Sequence, residues 1–443
     1  MVVPRNSLRG FLSQAKAALR TALDSNEKIT FVIGNESADL DSMTCSVLYA
    51  YLRSMAPPCN AFSQLYVPVT NIPSSGIQLR PEFLALFRHA NIEPSHLITL
   101  DDLPDLSVIQ SKLRPENTKW ILVDHNSLQG KLGKVYASRV GGVIDHHEDE
   151  GNVPTDTGDE PRRIEKCGSC TSLVTEYCRQ AWDSLSTSAT SSGATAGQGG
   201  DLSSDDAVTT IWDAQAAQLG LASILIDTAN LQSKGKTTEH DTQAAEYLEA
   251  KINSCPKLSS SFDRSSFYSE IDSARRDIGG LKLQDILRKD YKQWDQGDQI
   301  LGVSAVVKAI DFMQEKARDE ADTQSLDGAY LEALQRFSME RDLDLYAVMT
   351  TSTSSAGDFQ RELLVWAFNE EAVSAAKKFA DNAREELGLE DWHGSVGKTE
   401  AHDDNKQWLK VWWQRQVQHS RKRVAPLLRE AMKCKSHSGG WAT

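Results

Sequence analysis

With 443 residues the chain has room for two domains, each with its own core. No apolar run approaches the length of a bilayer span, and seven scattered cysteines, an odd number without a framework, argue for reduced thiols and against a secreted, disulfide-stapled class. A formal net charge of −14 opposes polyanion binding over the surface as a whole, although a local field can reverse that at one face.

Residues before about Asn26 read as a helix, because Leu8, Phe11, Leu12, Ala15 and Leu19 recur at helical spacing. Arg5, Arg9, Lys16 and Arg20 precede any acid until Asp24, a pattern shared with mitochondrial presequences. A folded helix is the better expectation, since the first chemistry-bearing segment begins only a few residues later. Four apolar runs then each close on an aspartate: ITFVIGNESADLDS brings Asp39 and Asp41, KWILVDHN brings Asp124, GGVIDHH brings Asp145 with His146 and His147, and LASILIDTAN brings Asp227. Each run is short and aliphatic or β-branched, as expected of a strand buried on both faces of a parallel sheet. Ligands of open α/β sheets sit beyond the carboxyl ends of strands, so these carboxylates should meet in one crevice.

Several ionised carboxylates share a crevice only if cations neutralise them. Adjacent imidazoles suit manganese, cobalt, iron or zinc better than magnesium alone. The pattern thus predicts a dinuclear metal centre and phosphoryl transfer to water. Taken singly, each residue has an ordinary reading: Asp41, ahead of SMTCSVLYAYL, could simply cap a helix.

Further along, RRIEKCGSCTSLVTEYC reads as a strand, a Gly-Ser turn and a helix start. Gly168 to Ser172 is then a candidate anion-facing helix N-terminus, with capping by Ser169 or Thr171 an equal alternative. Cys167 and Cys170 have no second CxxC to complete a zinc site. Ser184 to Asp206 is poor in apolar residues and rich in Ser, Gly and Ala, and is expected to be a disordered insertion between helices. This bounds a first domain over 1–235. TTEHDTQAAEYLEAKI suggests a helix within a linker at 236–264, which ends in the polar SCPKLSSSFDRS. In a second domain over 265–443, LGVSAVVKAI, LDLYAVMTTS and RELLVWAF read as strands. EAVSAAKKFADNAREEL and the Trp-rich tail read as helices. From Lys406 to Lys435 there are nine Lys or Arg against the single acid Glu430, either a solvated face, a nucleic-acid patch or a clamp for phosphate.

GNESADLDS, VDHN, VIDHH and LIDT resemble the four metal-binding motifs of the DHH phosphoesterase superfamily, and Ser420-Arg421-Lys422-Arg423 resembles the Ser-Arg-Lys signature of the C-terminal domain shared by manganese-type inorganic pyrophosphatases and fungal exopolyphosphatases. The pyrophosphatases usually carry His where this chain has Asn35, so GNESAD is similar to the cytosolic fungal-type exopolyphosphatase branch. An inorganic pyrophosphatase or a nucleotide phosphodiesterase is the alternative. A C-terminal glycine-histidine signature of the phosphodiesterases is not visible.

The resemblance implies an α/β fold: a parallel-sheet N-terminal domain and a smaller mixed-sheet C-terminal domain, with the active site in the cleft between them. It implies two divalent cations, Mn²⁺, Mg²⁺ or Co²⁺. Asp124 would bridge them at about 3.5–4 Å, Asn35 and Asp39 would complete the first, and Asp41, His146 and Asp227 the second. His147 would face the bridging or leaving oxygen and Asp145 would orient a neighbouring histidine. His125, next to the bridging aspartate, would either touch substrate or serve packing, the two being equal alternatives. Lys292 in the DYK segment, Arg421 and Lys422 would neutralise the phosphate chain, with Lys308 in the next strand a weaker candidate. The expected substrate is inorganic polyphosphate, handled by a cytoplasmic monomer (a mitochondrial pool is also open) with no nucleic-acid or membrane partner. As a neutral amide replaces imidazole at Asn35, the first cation should bind more weakly and tolerate Mg²⁺ better.

Overall fold

The structure, a computed structural model, describes residues 5–105, 107–193, 202–321, 325–354, 357–394, 396 and 407–433. The chain divides into two compact units, Met1–Asp277 and Ile278–Thr443.

In the first unit, strands β1 (Ile29–Ile33), β2 (Tyr66–Val69), β3 (Thr118–Val123), β4 (Val140–Asp145) and β5 (Arg162–Ile164) form a wholly parallel sheet in the order β2-β1-β3-β4-β5. Both faces are covered. Ile29, Phe31 and Ile33 enter one apolar cluster while Val32 enters the other, the alternation a strand imposes on successive side chains. The helices are α1 (Leu8–Ser25), α2 (Leu40–Met55), α3 (Pro81–Ala90), the short α4 (Ile109–Lys112) and α5 (Gly130–Tyr136), α6 (Cys170–Gly193), α7 (Leu202–Asp227), α8 (Glu239–Asn253) and α9 (Arg264–Arg276). α1 is the N-terminal helix expected from spacing: Ser7 caps it, and Leu8, Phe11, Leu12, Ala15 and Leu19 are buried. With strand order 2-1-3-4-5, the chain reverses direction across the sheet between β1 and β3, and the crevice for a ligand opens beyond the carboxyl ends at that point.

One expected strand is not a strand. LASILID forms the end of α7, which packs against α2, α3, α6, α8 and α9. A helix enclosed on every side shows no polar face, so its sequence is a continuous apolar run that length and periodicity cannot separate from a buried strand. Asp227 is therefore the last residue of a helix. α8 and α9 also belong to this unit: Leu248, Ile252, Phe267 and Ile271 join its core, so the unit runs to Asp277 and past the boundary near 235 suggested by composition. Within the stretch expected to be disordered, residues 184–193 end α6 and 202–206 begin α7. Residues 194–201 lie outside the described residues.

The second unit runs α10 (Leu283–Lys289), β6 (Tyr291–Gln296), β7 (Gln299–Val306), α11 (Ile310–Ala321), α12 (Leu326–Met339), β8 (Leu345–Thr350), β9 (Ser352–Thr353), β10 (Phe359–Gln360), β11 (Glu362–Ala367), α13 (Glu370–Leu387), β12 (Leu389–Asp391), β13 (Trp408–Gln414) and α14 (Arg421–Met432). Its mixed six-stranded sheet has the order β12-β13-β11-β8-β7-β6, with only β7 and β8 paired in parallel. Leu363, Val365 and Ala367 face one core and Leu364 and Trp366 the other. The Trp-rich segment is β13, antiparallel to β11, and not the helix expected. Trp408 and Trp412 are four apart, a spacing that satisfies both a helical face and one side of a strand. The aromatic and β-branched content, together with pairing on both edges, decides for the strand. No described helix is long and apolar enough to cross a membrane.

Candidate metal centre

Three carboxyl ends, those of β1, β3 and β4, deliver the polar residues. The loop after β1 carries Asn35 and Asp39 into the start of α2, and Asp39 is the cap of that helix, its carboxylate accepting from Ser42 N at 3.0 Å. The capping role open to Asp41 thus belongs to Asp39. Asp41 sits in the first turn, buried, and faces the start of α6. Its Oδ1 accepts from Ser169 Oγ (2.8 Å), Thr171 N (3.0 Å), Thr171 Oγ1 (2.7 Å) and Ser223 Oγ (2.9 Å). Its Oδ2 accepts from Cys170 N at 2.7 Å and lies 3.7 Å from His146 Nε2. One oxygen is saturated by protein donors, and the other is aimed at the imidazole.

The helix start at Gly168 to Ser172 does face anions, and they are the protein's own. Asp41 takes the amides of Cys170 and Thr171, while Asp241 takes Gly168 N (2.8 Å), Ser169 N (3.1 Å) and Ser172 Oγ (2.7 Å). Two carboxylates on the positive end of a 24-residue helix complement its orphan N–H groups and its dipole. The thiol of Cys170 is buried in this cluster, and that burial pushes it up to about 12, so it remains an inert thiol.

Asp124 follows β3 with a left-handed φ of 60°, a conformation that costs a non-glycine residue energy and persists where surroundings impose it. Its Oδ2 accepts from Asn35 Nδ2 (2.7 Å) and Ser42 Oγ (2.6 Å), and its Oδ1 is 3.0 Å from His146 Nε2. His146 Nδ1 lies 3.1 Å from the Cys167 carbonyl. A carbonyl only accepts, so Nδ1 carries the hydrogen. Nε2 is left as a second donor to Asp124 or, in the neutral ring, as a lone pair for a cation.

Asp145 is fully buried and accepts from His147 Nδ1 (2.7 Å), His146 N (2.7 Å) and Asn126 Nδ2 (2.6 Å). Burial pushes its carboxyl up, yet the His147 imidazole beside it holds it well below the usual carboxylate range.

Donor atoms of Asp124, His146 and His147 all lie within 4.8 Å of one another. With Asp41 Oδ2 facing His146, this set fits a divalent cation in donor type, spacing and outer support. Asn35 does not offer the oxygen expected of it. Its Oδ1 accepts from Ser37 N (2.9 Å) and Oγ (2.6 Å), and the backbone N–H fixes which way the amide lies. The atom turned to Asp124 is the Nδ2 donor.

The remaining candidates are dispersed. Asp227, half-buried at the end of α7, is outside the Asp124–His146–His147 group. His125 is half-buried, with Nδ1 turned 2.9 Å from the Val123 carbonyl of its own strand. Lys292, Lys308, Arg421 and Lys422 are in the second unit. Lys292 lies on β6 opposite Val303. Lys308 lies two residues past β7, not within it, with Nζ 5.6 Å over the Phe312 ring. Arg421 opens α14, where Nη1 donates to the Asp290 carbonyl (2.9 Å) and Nη2 is 2.6 Å from the Asp290 carboxylate. Lys422 is exposed in the same turn.

Sequence reading missed Ser42, Asn126, Ser223 and Asp241, which hold the acids in place. Ser42 and Asn126 sit inside the quoted motifs. Ser223 carries no local signal and Asp241 only that of a helix start after Thr238, because Ser223 meets Asp41 through the packing of α7 on α2 and Asp241 meets the start of α6 through the packing of α8 on α6.

Two family models match, the DHH family N-terminal domain over residues 29–196 and the DHHA2 domain over residues 269–431. The Schizosaccharomyces pombe "Putative exopolyphosphatase" is 30% identical over 97% of this chain and 96% of its own. The human "Exopolyphosphatase PRUNE1" is 26% identical over 93% of this chain and 78% of its own. The fold resembles the crystal structure of the Methanococcus jannaschii "putative family II inorganic pyrophosphatase", with a TM-score of 0.53 at 19% identity over 91% of this chain and 99% of that one. Both domain models and agreement along nearly the whole chain place this protein in the DHH phosphoesterase superfamily, in the branch that joins a DHH domain to a DHHA2 domain.

Proposed function

We propose that the protein is a metal-dependent exopolyphosphatase that removes terminal phosphate from inorganic polyphosphate. The observation that carries this reading is the convergence of Asp124, His146 and His147 at the carboxyl ends of β3 and β4. Relatives named exopolyphosphatases that align along nearly the whole chain support the substrate class.

Asp41, Asp124 and His146 would hold one divalent cation, and Asn35, Asp39 and Asp227 are the residues the motifs nominate to complete a pair. A bound divalent cation supplies Lewis acidity and brings the pKa of water toward neutrality. The chain does the rest by positioning. Asp145 occupies Nδ1 of His147, so Nε2 is the atom that ring presents to substrate, as a donor when protonated. Ser169, Thr171 and Ser223 fix the Asp41 carboxylate so that only Oδ2 faces His146. On the second unit, Lys292, Arg421 and Lys422 would neutralise phosphate oxygens, with Asp290 holding the Arg421 guanidinium in place.

The test is phosphate release from long-chain polyphosphate, tripolyphosphate and pyrophosphate, side by side, with Mg²⁺, Mn²⁺ and Co²⁺. The expected order is polyphosphate, then tripolyphosphate, with pyrophosphate slowest. A preference for pyrophosphate, or no release under any cation, would overturn the assignment.

A further inference from the structure

Arg361 precedes β11 and is only 9% exposed, yet among the described residues no carboxylate pairs with it. Its Nε donates to the Val417 carbonyl at 2.6 Å, and its guanidinium lies 5.2 Å from the centroid of the Phe359 ring. No hydrogen bond is formed by either Nη atom among the described residues. Three other enclosed arginines are compensated. Arg80 is held by the carbonyls of Ser37, Ala38 and Gly76, Arg163 by Glu165 and Glu176, and Arg421 by Asp290. Loss of water alone draws the Arg361 guanidinium down to about 10, which leaves it charged at neutral pH. A cation largely withdrawn from water without a counter-charge is costly, and the Arg361 Nη atoms, not fully buried, stay within reach of an anion that would supply the missing charge.

Its place in the sheet says which ligand. β6 pairs Tyr291 with Ser304, β8 pairs Thr350 with Val306, and β11 pairs Glu362 with Trp413, so the start of β6 and β11 and the end of β7, β8 and β13 share one edge. Arg361 lies on that edge, its carbonyl accepting from Gln414 N at 3.0 Å. Arg421 and Lys292 lie there too, and Lys308 follows the end of β7. Val417, which Arg361 grips, is in the turn leading to Ser420, the cap of α14. Three carboxylates at this edge are occupied: Glu362 by Ile310 N, Thr350 Oγ1 and Trp392 Nε1, Asp290 by Arg421, and Glu386 by Arg423.

We propose that Arg361 is an anion-binding residue that takes phosphoryl oxygens of a polyphosphate chain, on the sheet edge it shares with Lys292 and Arg421. The choice of polyphosphate rests on the function proposed above. The anion site itself does not, and the test keeps the two apart. Tripolyphosphate binding to the full-length, chelator-treated protein is measured by calorimetry at low salt for wild type, Arg361→Gln and Arg361→Lys. Loss of a charge-assisted contact should weaken binding roughly tenfold or more in the Gln variant and less in the Lys variant. An unchanged dissociation constant in a folded Arg361→Gln would overturn the proposal. Should that variant not fold, wild type answers instead, through phenylglyoxal labelling of Arg361 read by peptide mass spectrometry. Protection by tripolyphosphate is expected. Labelling that tripolyphosphate does not alter, or an Arg361 that resists labelling without anion, would sink it. If wild type binds tripolyphosphate through Arg361 yet releases no phosphate from polyphosphate with any cation, the site stands and the proposed function falls. The converse result keeps the function and removes the site.

Discussion

Asp124 concentrates the chemistry of the site in one side chain. It holds a left-handed backbone, two donors on Oδ2 and an imidazole on Oδ1. Asp124→Ala should reduce hydrolysis to background. It leaves Asn35 Nδ2 and Ser42 Oγ without their acceptor, at about 1–3 kcal/mol, but it also removes a charge from a crowd of carboxylates. The net change in thermal midpoint should be a few degrees, and turnover near wild type under any divalent cation would remove Asp124 from the mechanism. Asn35 makes a different prediction. Its amide faces Asp124 as a donor because Ser37 N–H claims its oxygen. Asn35→His offers a lone pair where the amide offers N–H, and should tighten cation binding, most for Mn²⁺ or Co²⁺. A short substrate leans more on the cations than a long chain does, so the ratio of kcat/KM for pyrophosphate over polyphosphate should rise. A ratio that stays put would show that discrimination lies elsewhere.

Among the elements, the start of α6 does most to shape the site. Asp41 and Asp241 divide its free amides between them, and Asp241 is also the third residue of α8, where it accepts from Thr238 N and Oγ1 at 2.8 Å. Asp241 thereby ties α8 to the helix end that holds Asp41. Asp241→Ala strips acceptors from Gly168, Ser169 and Ser172, and should lower stability by roughly 2–4 kcal/mol. It should also weaken Mn²⁺ affinity, measured by calorimetry on folded protein, although Asp241 is not among the residues nominated as ligands. Unchanged Mn²⁺ affinity would mean that Asp41 keeps its aim without this support. Gly168 has a related constraint: a Cβ there would come within 2.6 Å of Thr228 Cγ2 and 2.8 Å of Asp241 Oδ2.

At the scale of the whole molecule, the acids and imidazoles belong to one unit and the cations proposed to bind phosphate to the other, each unit folding around clusters of its own. That separation predicts separable defects. Lys422→Ala, at an exposed position, should impair polyphosphate hydrolysis at least tenfold while Mn²⁺ affinity stays unchanged. Arg421→Ala should do the same and also cost stability, because it leaves the Asp290 carboxylate without its partner. A contact to the reacting phosphoryl group would show in kcat, and a contact further along the chain in KM. Equal losses of Mn²⁺ affinity in both variants would contradict the division of labour.

Sequence alone determined the α/β class, the places of β1, β3 and β4, and most of the first-unit cluster. Asp145 ends a strand, and Asn35, Asp124, His146 and His147 follow strands, whose short aliphatic runs need no distant context to be read. Tertiary structure decided what local pattern leaves open. LASILID is helical because neighbours enclose it on every side, and enclosure erases the period that marks a helix. Trp408 to Gln414 is a strand because β11 and β12 offer it paired edges, a fact stored in other segments. The donors around Asp41 come from 128 residues away at Ser169 and 182 away at Ser223. Arg361, one basic residue among 48, differs from the rest only in where burial leaves it. Hydrogen bonds between such distant positions depend on how helices pack, and a one-dimensional pattern carries no record of that packing.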